Sequence, residues 1–356
     1  MGRDQFLHFA CLLNSLILVN RIMKILVTGG AGYIGSHAVL ALLQRGNDVI
    51  VFDSLELGHS QAIDRINSSF ESKVELFQGD LKNKKDLDDL FKKHEGIDGV
   101  VHFAAYSLVG ESVKDPKKYY QNNVCGSLNL FTAMLENDVK NVVFSSTAAT
   151  YGEPESIPIK EDDRQEPINP YGWSKLMIEK IFDDFHVAYG MRSLRLRYFN
   201  AAGASRSADI GEDHSPETHL IPICMQVALG QREKMYIFGE DYDTEDGTCI
   251  RDYIHVEDLI DAHLLALDKM QKEDICDYMN LGTQNGLSVL QIVDKCKEIS
   301  GIDFSVEIGK RRAGDPDKLV ADASKAKKIL GWEPKLGLDE IIKSAWNWHR
   351  KNPKGF

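Results

Sequence analysis

Short apolar runs alternate with longer amphipathic stretches along this chain from residue 24 onward. The alternation is typical of βαβ units, in which helices cover both faces of a buried parallel sheet. The apolar runs predict strands at Lys24–Thr28, Asp48–Asp53, Val74–Gln78, Gly99–Ala104, Asn141–Ser146, Ser193–Tyr198 and Asp277–Leu281. The amphipathic stretches predict helices at Ser36–Arg45, Lys84–His94, Asn123–Glu136, Pro170–Tyr189 and Val256–Lys269. We therefore expect an α/β fold built on a doubly wound parallel sheet.

The pattern changes after Asn200, where Gly, Pro and acidic residues dominate up to Thr248, and again over residues 285–331. We expect a sheet domain of residues 23–203 and 251–284, and a smaller C-terminal domain of residues 204–250 and 285–356.

Residues 1–22 contain an apolar stretch, Phe6–Val19, but Asn14 interrupts it and no small-x-small cleavage site follows. A run of about 14 residues is too short to span a bilayer. We interpret residues 1–22 as an extension without a role in the chemistry.

The charge and cysteine content of the chain limit which binding partners and which cellular compartment are expected. The chain has 356 residues, with 42 Lys and Arg against 54 Asp and Glu, which gives a formal charge of −12. Such a surface repels phosphate backbones, so we expect no nucleic-acid partner and no membrane. The six cysteines have no C-x-x-C or metal-ligand spacing, and we expect them to be reduced in a cytoplasmic protein. They are Cys11, Cys125, Cys224, Cys249, Cys276 and Cys296.

A glycine-rich segment follows the first predicted strand directly and opens a helix. It reads Thr28-Gly29-Gly30-Ala31-Gly32-Tyr33-Ile34-Gly35. Glycines at this spacing allow a tight turn, and they let a pyrophosphate approach the backbone at the positive end of the helix. Asp53 ends the second strand, where a carboxylate accepts hydrogen bonds from the adenosine ribose, and no Lys or Arg occurs in the next five residues. The segment therefore predicts a Rossmann-type site for NAD rather than NADP.

A second motif carries groups suited to proton transfer. Asn169-Pro170 is typical of a helix start, and Tyr171 and Lys175 lie four residues apart on one face of that helix. A nearby ammonium, the helix N-terminus and an oxidised nicotinamide would all favour the phenolate of Tyr171. Ser146 and Thr147 end the fifth strand, and either hydroxyl could bond the reacting oxygen or cap a turn. Asp80 is a weaker candidate for the adenine end of the cofactor.

The chain resembles the extended short-chain dehydrogenase/reductase family, and within it the UDP-glucose 4-epimerases, over nearly its whole length from Met23. The resemblance rests on Gly29–Gly35, His102–Ala105, Tyr119–Asn123, Ser145–Gly152, Tyr171–Lys175, Arg197–Asn200, Arg251–Val256 and Arg311–Asp315. It implies epimerisation of UDP-galactose and UDP-glucose at C4 with tightly bound NAD, in a homodimer. It makes the small domain a UDP-sugar-binding domain and the sheet domain an NAD-binding one.

The resemblance also implies residue roles. Tyr171 is the base, Lys175 holds the nicotinamide ribose, and Thr147 stands where the family usually has a serine that contacts the sugar 4-hydroxyl. The implied cofactor contacts are Gly29, Gly32, Tyr33, Ile34, Gly35, Asp53, Ser54, Asp80, Leu81, Phe103, Ala104, Ala105, Asn122, Lys175 and Tyr198. The implied substrate contacts are Thr147, Tyr171, Asn200, Leu220, Arg251, Arg312 and Asp315, with Asn122 matching this set as well. Leu319 occupies the position that limits room for an N-acetyl group and predicts weak activity on UDP-N-acetylglucosamine.

Three alternatives are weighed against this interpretation. A nucleotide-sugar 4,6-dehydratase needs an acidic pair after the fifth strand, where this chain has Thr147-Ala148. A non-catalytic NAD sensor has no reason to keep Tyr171 and Lys175 together. A metal hydrolase built on His214 and His219 lacks an i, i+4 histidine pair and an evident third ligand, so we expect no metal.

Overall fold

The computed structural model describes residues 22–71, 73–312 and 315–356. Residues 1–21, which form most of the expected extension and include Cys11, lie outside the described residues. Within the described ranges, no helix combines the length and the apolar character that crossing a membrane requires.

Seven parallel strands form the central sheet. They are β1 (Lys24–Thr28), β2 (Asp48–Asp53), β3 (Glu75–Gln78), β4 (Gly99–His102), β5 (Asn141–Thr147), β6 (Arg192–Tyr198) and β10 (Cys276–Leu281). Their spatial order is β10-β6-β5-β4-β1-β2-β3, with every neighbouring pair parallel. The doubly wound sheet and all seven predicted strands are confirmed. The fourth strand ends earlier than predicted, because the N–H groups of Phe103 and Ala104 both turn back to the Thr28 carbonyl, at 3.0 and 3.1 Å.

Helices cover both faces of this sheet. The larger ones are α1 (Tyr33–Gln44), α2 (Ser60–Ser69), α3 (Lys84–Lys93), α6 (Gly126–Glu136), α7 (Pro170–Tyr189) and α9 (Val256–Met270). Two short helices, α4 (Val109–Lys114) and α5 (Pro116–Tyr119), continue through a π-helical turn (Tyr120–Cys125) into α6. Alternate residues of the strands face opposite layers. Val27 packs with α1 and α9, whereas Leu26 packs with α3, α6 and α7.

A second region follows Tyr198. Its strands β7 (Asn200–Ala202), β11 (Gly286–Ser288) and β13 (Lys318–Leu319) all pair with β9 (Ile250–His255), while β8 (Met235–Phe238) pairs with β12 (Val306–Gly309). Its helices are α8 (Leu220–Ala228), α10 (Val289–Ser300) and α12 (Leu338–Lys351), whereas α11 (Ser324–Leu330) packs through Ala326 into the core of the central sheet. Its own apolar core, which includes Ile221, Met225, Ile292 and Ile341, packs mainly between α8, α10 and α12.

Candidate active site

The glycine-rich turn between β1 and α1 is fixed by contacts that admit no side chain. Gly29 has a φ of +70°, and a Cβ there would lie 2.7 Å from the Ala104 nitrogen. A Cβ on Gly35 would lie 2.1 Å from the Gly29 carbonyl oxygen. At Gly32 the nearest described atom would be 3.4 Å away, so the fold itself leaves room there. Backbone at Gly32 is thus open to close approach by a ligand, as a pyrophosphate requires.

The N-terminus of α1 is suited to an anion. No side chain caps it, and its first turn contains no acidic residue. Its free N–H groups and partial positive charge therefore remain for a ligand. The Tyr33 hydroxyl donates instead to the Gly203 carbonyl at 2.7 Å, so only the backbone of Tyr33 is placed for the predicted cofactor contact.

Asp53 lies beside this turn at the end of β2 and is 7% exposed. Its carboxylate accepts the N–H groups of Ala31 and Leu55, each at 2.9 Å. Burial raises the pKa of Asp53, and these two bonds oppose the increase. Each carboxylate oxygen keeps acceptor capacity for a ribose hydroxyl. Glu56 lies close by and accepts a hydrogen bond from Tyr106, so the local charge disfavours a 2′-phosphate.

The remaining predicted cofactor residues line the carboxyl ends of neighbouring strands. Phe103, Ala104 and Ala105 follow β4 beside Gly29, at the switch point where the sheet order reverses between β1 and β4. Asp80 accepts the Lys82 N–H at 2.8 Å and pairs with the Lys82 ammonium at 3.3 Å. The others are the exposed Ser54, the buried Leu81, the half-buried Ile34 and Asn122, and Tyr198 at the end of β6.

Thr147 and Tyr171 meet at the end of β5. Thr147 is the last strand residue and is 8% exposed; its hydroxyl accepts the Ala149 N–H at 3.2 Å, and its side chain lies beside the Tyr171 phenol. Tyr171 enters from the first turn of α7, whose start is fixed by a bond from the Gly172 N–H to the Asn169 side chain at 2.9 Å. Burial raises the pKa of Tyr171, nearby Tyr198 adds to the increase, and the Thr147 side chain opposes it. The arrangement is a phenol and an alcohol directed at one point in a water-poor crevice.

Lys175 lies one turn further along α7 and is 3% exposed. Its ammonium donates to the Ser145 carbonyl at 2.8 Å. Burial lowers the pKa of Lys175 to about 7, while the charge of Glu179 opposes the decrease. The Lys175 ammonium is directed at the strand rather than at Tyr171. The expected contribution of Lys175 to Tyr171, alongside the helix N-terminus and an oxidised nicotinamide, therefore stays a prediction.

Ser146 is the one predicted catalytic residue that the structure keeps away from this crevice. Its hydroxyl donates to Glu179 at 2.5 Å on the opposite side of β5. Arg197 donates to the same carboxylate at 2.9 Å and to the Tyr151 hydroxyl at 2.9 Å. Sequence reasoning missed Glu179, although its spacing four residues after Lys175 places both on one face of α7.

The predicted substrate residues cluster around β9. Arg251 donates to Asp315 at 2.5 Å, and Asp315 also accepts the Tyr242 hydroxyl at 3.0 Å. Leu319 lies opposite Arg251 in the β9–β13 pair and packs with the buried patch that follows β5.

The Arg312 guanidinium lies 4.2 Å from the Phe238 ring centroid. Asn200 donates to the Asp252 carbonyl at 3.1 Å, and Leu220 begins α8. Tyr242 and Phe238 carried no signal in the sequence because their contacts form only on folding.

Comparison with known proteins adds the following. A family model described as GDP-mannose 4,6 dehydratase matches residues 26–345. The UDP-glucose 4-epimerase of Halalkalibacterium halodurans is 55% identical over 335 residues, which cover 94% of this chain and 98% of that protein. The chain belongs to the UDP-glucose 4-epimerase family.

Solved structures agree with that membership. A UDP-glucose 4-epimerase structure is 50% identical with a TM-score of 0.89, covering 94% of this chain and 99% of that one. The UDP-glucose 4-epimerase from Bifidobacterium longum in complex with NAD+ and UDP is 40% identical with a TM-score of 0.90, covering 94% and 100%. A 4,6-dehydratase site is not expected in this chain, because Ala148 follows Thr147 and neither position has a carboxylate.

Proposed function

We propose that this member of the family interconverts UDP-galactose and UDP-glucose by inverting C4 of the sugar, with NAD retained through the cycle. The observation that carries the proposal is the placement of the Thr147 hydroxyl beside the Tyr171 phenol at the carboxyl end of β5. The same edge of the sheet carries the glycine turn and the uncapped helix. A similar protein, from Bifidobacterium longum, has been crystallised with NAD+ and UDP.

The residues around the glycine turn fit NAD. Gly29, Gly32 and Gly35 with the N-terminus of α1 would hold its pyrophosphate, and Asp53 would hold the adenosine ribose. The chemistry that NAD supplies when bound is transfer of a hydride from C4 and back. Lys175 would hold the nicotinamide ribose after its ammonium leaves the Ser145 carbonyl. Asp80, Leu81, Phe103, Ala104, Ala105, Asn122 and Tyr198 complete the proposed cofactor set.

The proton steps fall to Tyr171 and Thr147. Tyr171 removes the proton from the sugar 4-hydroxyl, and Thr147 bonds the same oxygen and orients it. Because burial raises the pKa of Tyr171, positive charge arriving in the crevice is needed to make the phenolate accessible. The sugar passes through a 4-ketone and turns over, and Tyr171 returns the proton to the oxygen on the new face.

The diphosphate and uridine would be held from the second region. Arg251 and Arg312 carry the cations that a substrate with two phosphates requires in a chain of charge −12. Asp315 keeps Arg251 in position, and Asn200 and Leu220 complete the proposed set. We accordingly propose that residues 204–250 and 285–356 form the UDP-sugar domain, and that residues 23–203 and 251–284 form the NAD domain.

A broader sugar range is a second candidate property. Leu319 packs against the buried patch of Ala148, Tyr151 and Ile159 that follows β5, so its side chain would bound the space in which the sugar turns. We expect weak activity on UDP-N-acetylglucosamine, because Leu is smaller than Tyr at this point. A Leu319→Tyr variant should lose that activity and keep activity on UDP-glucose, and an unchanged sugar preference would contradict the assignment.

Assembly and location are proposed on separate grounds. Trp173 and Met177 lie four residues apart on α7 and are 39% and 42% exposed, and Leu128 of α6 is 40% exposed. These apolar side chains on adjacent helices support a homodimer. The five described cysteines are free, which supports a reducing, cytoplasmic setting. Light scattering of wild-type chain and a Met177→Lys variant tests the dimer.

The reaction is tested by following UDP-galactose with NMR after adding purified protein and no nicotinamide. We expect UDP-glucose to appear until a constant ratio is reached, and Tyr171→Phe to abolish the conversion. Unchanged UDP-galactose in the presence of protein with confirmed bound NAD would overturn the proposed reaction.

A further inference from the structure

Four side chains with metal-ligand atoms converge in the segment between β7 and α8. Glu212, His214, Glu217 and His219 each place one ligand atom within 4.8 Å of all the others. The sequence showed the two histidines but no third ligand, because the spacing lies in an irregular segment rather than on one helix face. Folding supplies two carboxylates that the expectation of no metal did not include.

The distances between nitrogens and carboxylates are close to those around a tetrahedral ion. With bonds of about 2.0–2.1 Å to nitrogen and oxygen, neighbouring ligands of a tetrahedral zinc lie about 3.3–3.4 Å apart. His219 Nδ1 lies 2.9 Å from Glu212 Oε1 and 3.1 Å from Glu217 Oε1, and His214 Nδ1 lies 3.4 Å from Glu212 Oε1 and 3.7 Å from Glu217 Oε2. Small side-chain shifts would bring one oxygen of each carboxylate to the expected separation.

Two protonated histidines would neutralise the two carboxylates. Each Nδ1 can donate only one proton, however, and each faces two carboxylates. His214 Nδ1 is a buried atom without a hydrogen-bond partner, and it is directed into the cluster. The Glu212 and Glu217 side chains are only 6% and 2% exposed, and two buried carboxylates so close together require nearby positive charge.

We propose that Glu212, His214, Glu217 and His219 bind one Zn²⁺. Two imidazoles with two carboxylates suit zinc, whereas Mg²⁺ and Ca²⁺ prefer oxygen ligands throughout. Glu217 is already oriented, since it accepts the N–H groups of Thr218 and His219 at 2.7 Å each. The His214 and His219 side chains are 32% and 49% exposed, which gives the ion a path from solvent.

The zinc is structural in this proposal, because four protein ligands leave no open position for substrate. It connects two parts of the molecule. The His214 ring meets Tyr33 edge-on, with centroids 6.4 Å apart, and Tyr33 begins α1 at the glycine turn. His219 immediately precedes α8. The ion would therefore stabilise the segment that joins the nucleotide-binding turn to α8, whatever reaction the chain catalyses.

The test is to treat the full-length protein with chelator, dialyse it against zinc chloride, and count metal by mass spectrometry. We expect one zinc per chain. A His214→Ala/His219→Ala double variant should bind at least about tenfold more weakly, since even changes behind the ligands cost that much. His186→Ala, which changes a histidine outside the cluster, should bind as the wild type does. Wild-type chain holding no more zinc than the double variant would overturn the proposal.

Cobalt substitution provides a readout that does not depend on variant folding. Co²⁺ bound to wild-type protein should show the intense visible absorption of a tetrahedral site. It should be displaced by one equivalent of zinc. The weak spectrum of an octahedral ion, or loss of cobalt on simple gel filtration, would contradict a four-ligand site.

Discussion

The two sides of strand β5 carry similar side chains in opposite situations. Thr147 and Tyr171 meet in the crevice, where the Thr147 hydroxyl accepts the Ala149 N–H at 3.2 Å and keeps its own proton for a ligand. Behind the strand, Ser146 and Arg197 both donate to Glu179, and the Ser146 bond is 2.5 Å long. The Glu179 carboxylate is fully satisfied by protein donors, so it serves structure. The comparison teaches that reactivity here depends on whether hydrogen-bonding capacity is left for a ligand, rather than on residue type.

The largest effect is expected on the crevice side. Tyr171→Phe removes the proton acceptor and keeps the ring, so we expect kcat to fall by about 10²–10⁴-fold with folding unchanged. The measurement is NMR turnover of UDP-galactose alongside circular dichroism of both proteins. A variant with near wild-type kcat would remove Tyr171 from the proposed role.

The next effect is expected behind the strand, on stability. Glu179→Gln leaves the Arg197 charge, which is 0% exposed, without its partner, and breaking such a pair costs about 3–5 kcal/mol. Urea unfolding measures this loss. The control is Glu136→Gln, which breaks the exposed pair with Lys84 and should cost less than about 1 kcal/mol. Equal losses in the two variants would contradict the division between the two sides.

Lys175 lies between Tyr171 and Glu179 on α7. Because it is buried, it should make the stability of the protein depend on pH. The pKa of Lys175 is about 7 in the folded chain and about 10.4 when unfolded, so between these values the unfolded state binds more protons. The loss in free energy of unfolding that results from burying Lys175 therefore grows as the pH falls from about 10.4 towards 7, and it is constant below pH 7. In nucleotide-stripped protein, the free energy of unfolding of Lys175→Met minus that of wild type should therefore increase as the pH falls from about 10.4 to 7. A pH-independent difference would mean that Lys175 is not desolvated.

Much of the central fold could be predicted from the sequence. Buried parallel strands are apolar on both faces, so runs such as Lys24–Thr28 and Asp48–Asp53 coincide with the observed bounds. The glycine turn was visible because its geometry depends on local residue types. Strands of two or three residues, such as β13, were not predictable, because they exist only through pairing with β9.

The site was predicted less completely than the fold. Sequence left Ser146 and Thr147 equivalent, since both end the same strand, and only the pleat decides which hydroxyl faces the crevice. The cluster of Glu212 and Glu217 with two histidines depends on the path of an irregular segment. The direction of the Lys175 ammonium likewise depends on a carbonyl 30 positions earlier in the chain. Each of these features results from tertiary packing that no local pattern encodes.

The most direct test of the central claim compares Thr147→Val with Ser146→Ala. The account predicts that Thr147→Val lowers kcat by about 10–150-fold, the equivalent of a charge-assisted hydrogen bond of 1.5–3 kcal/mol. The Thr147→Val loss in stability is limited to about 0.5–1.5 kcal/mol, from the Ala149 N–H that loses its acceptor. The account predicts that Ser146→Ala leaves kcat unchanged and lowers the free energy of unfolding by about 1.5–3 kcal/mol, because Glu179 loses a donor. The reverse pattern, with Ser146→Ala losing turnover and Thr147→Val retaining it, would contradict the account.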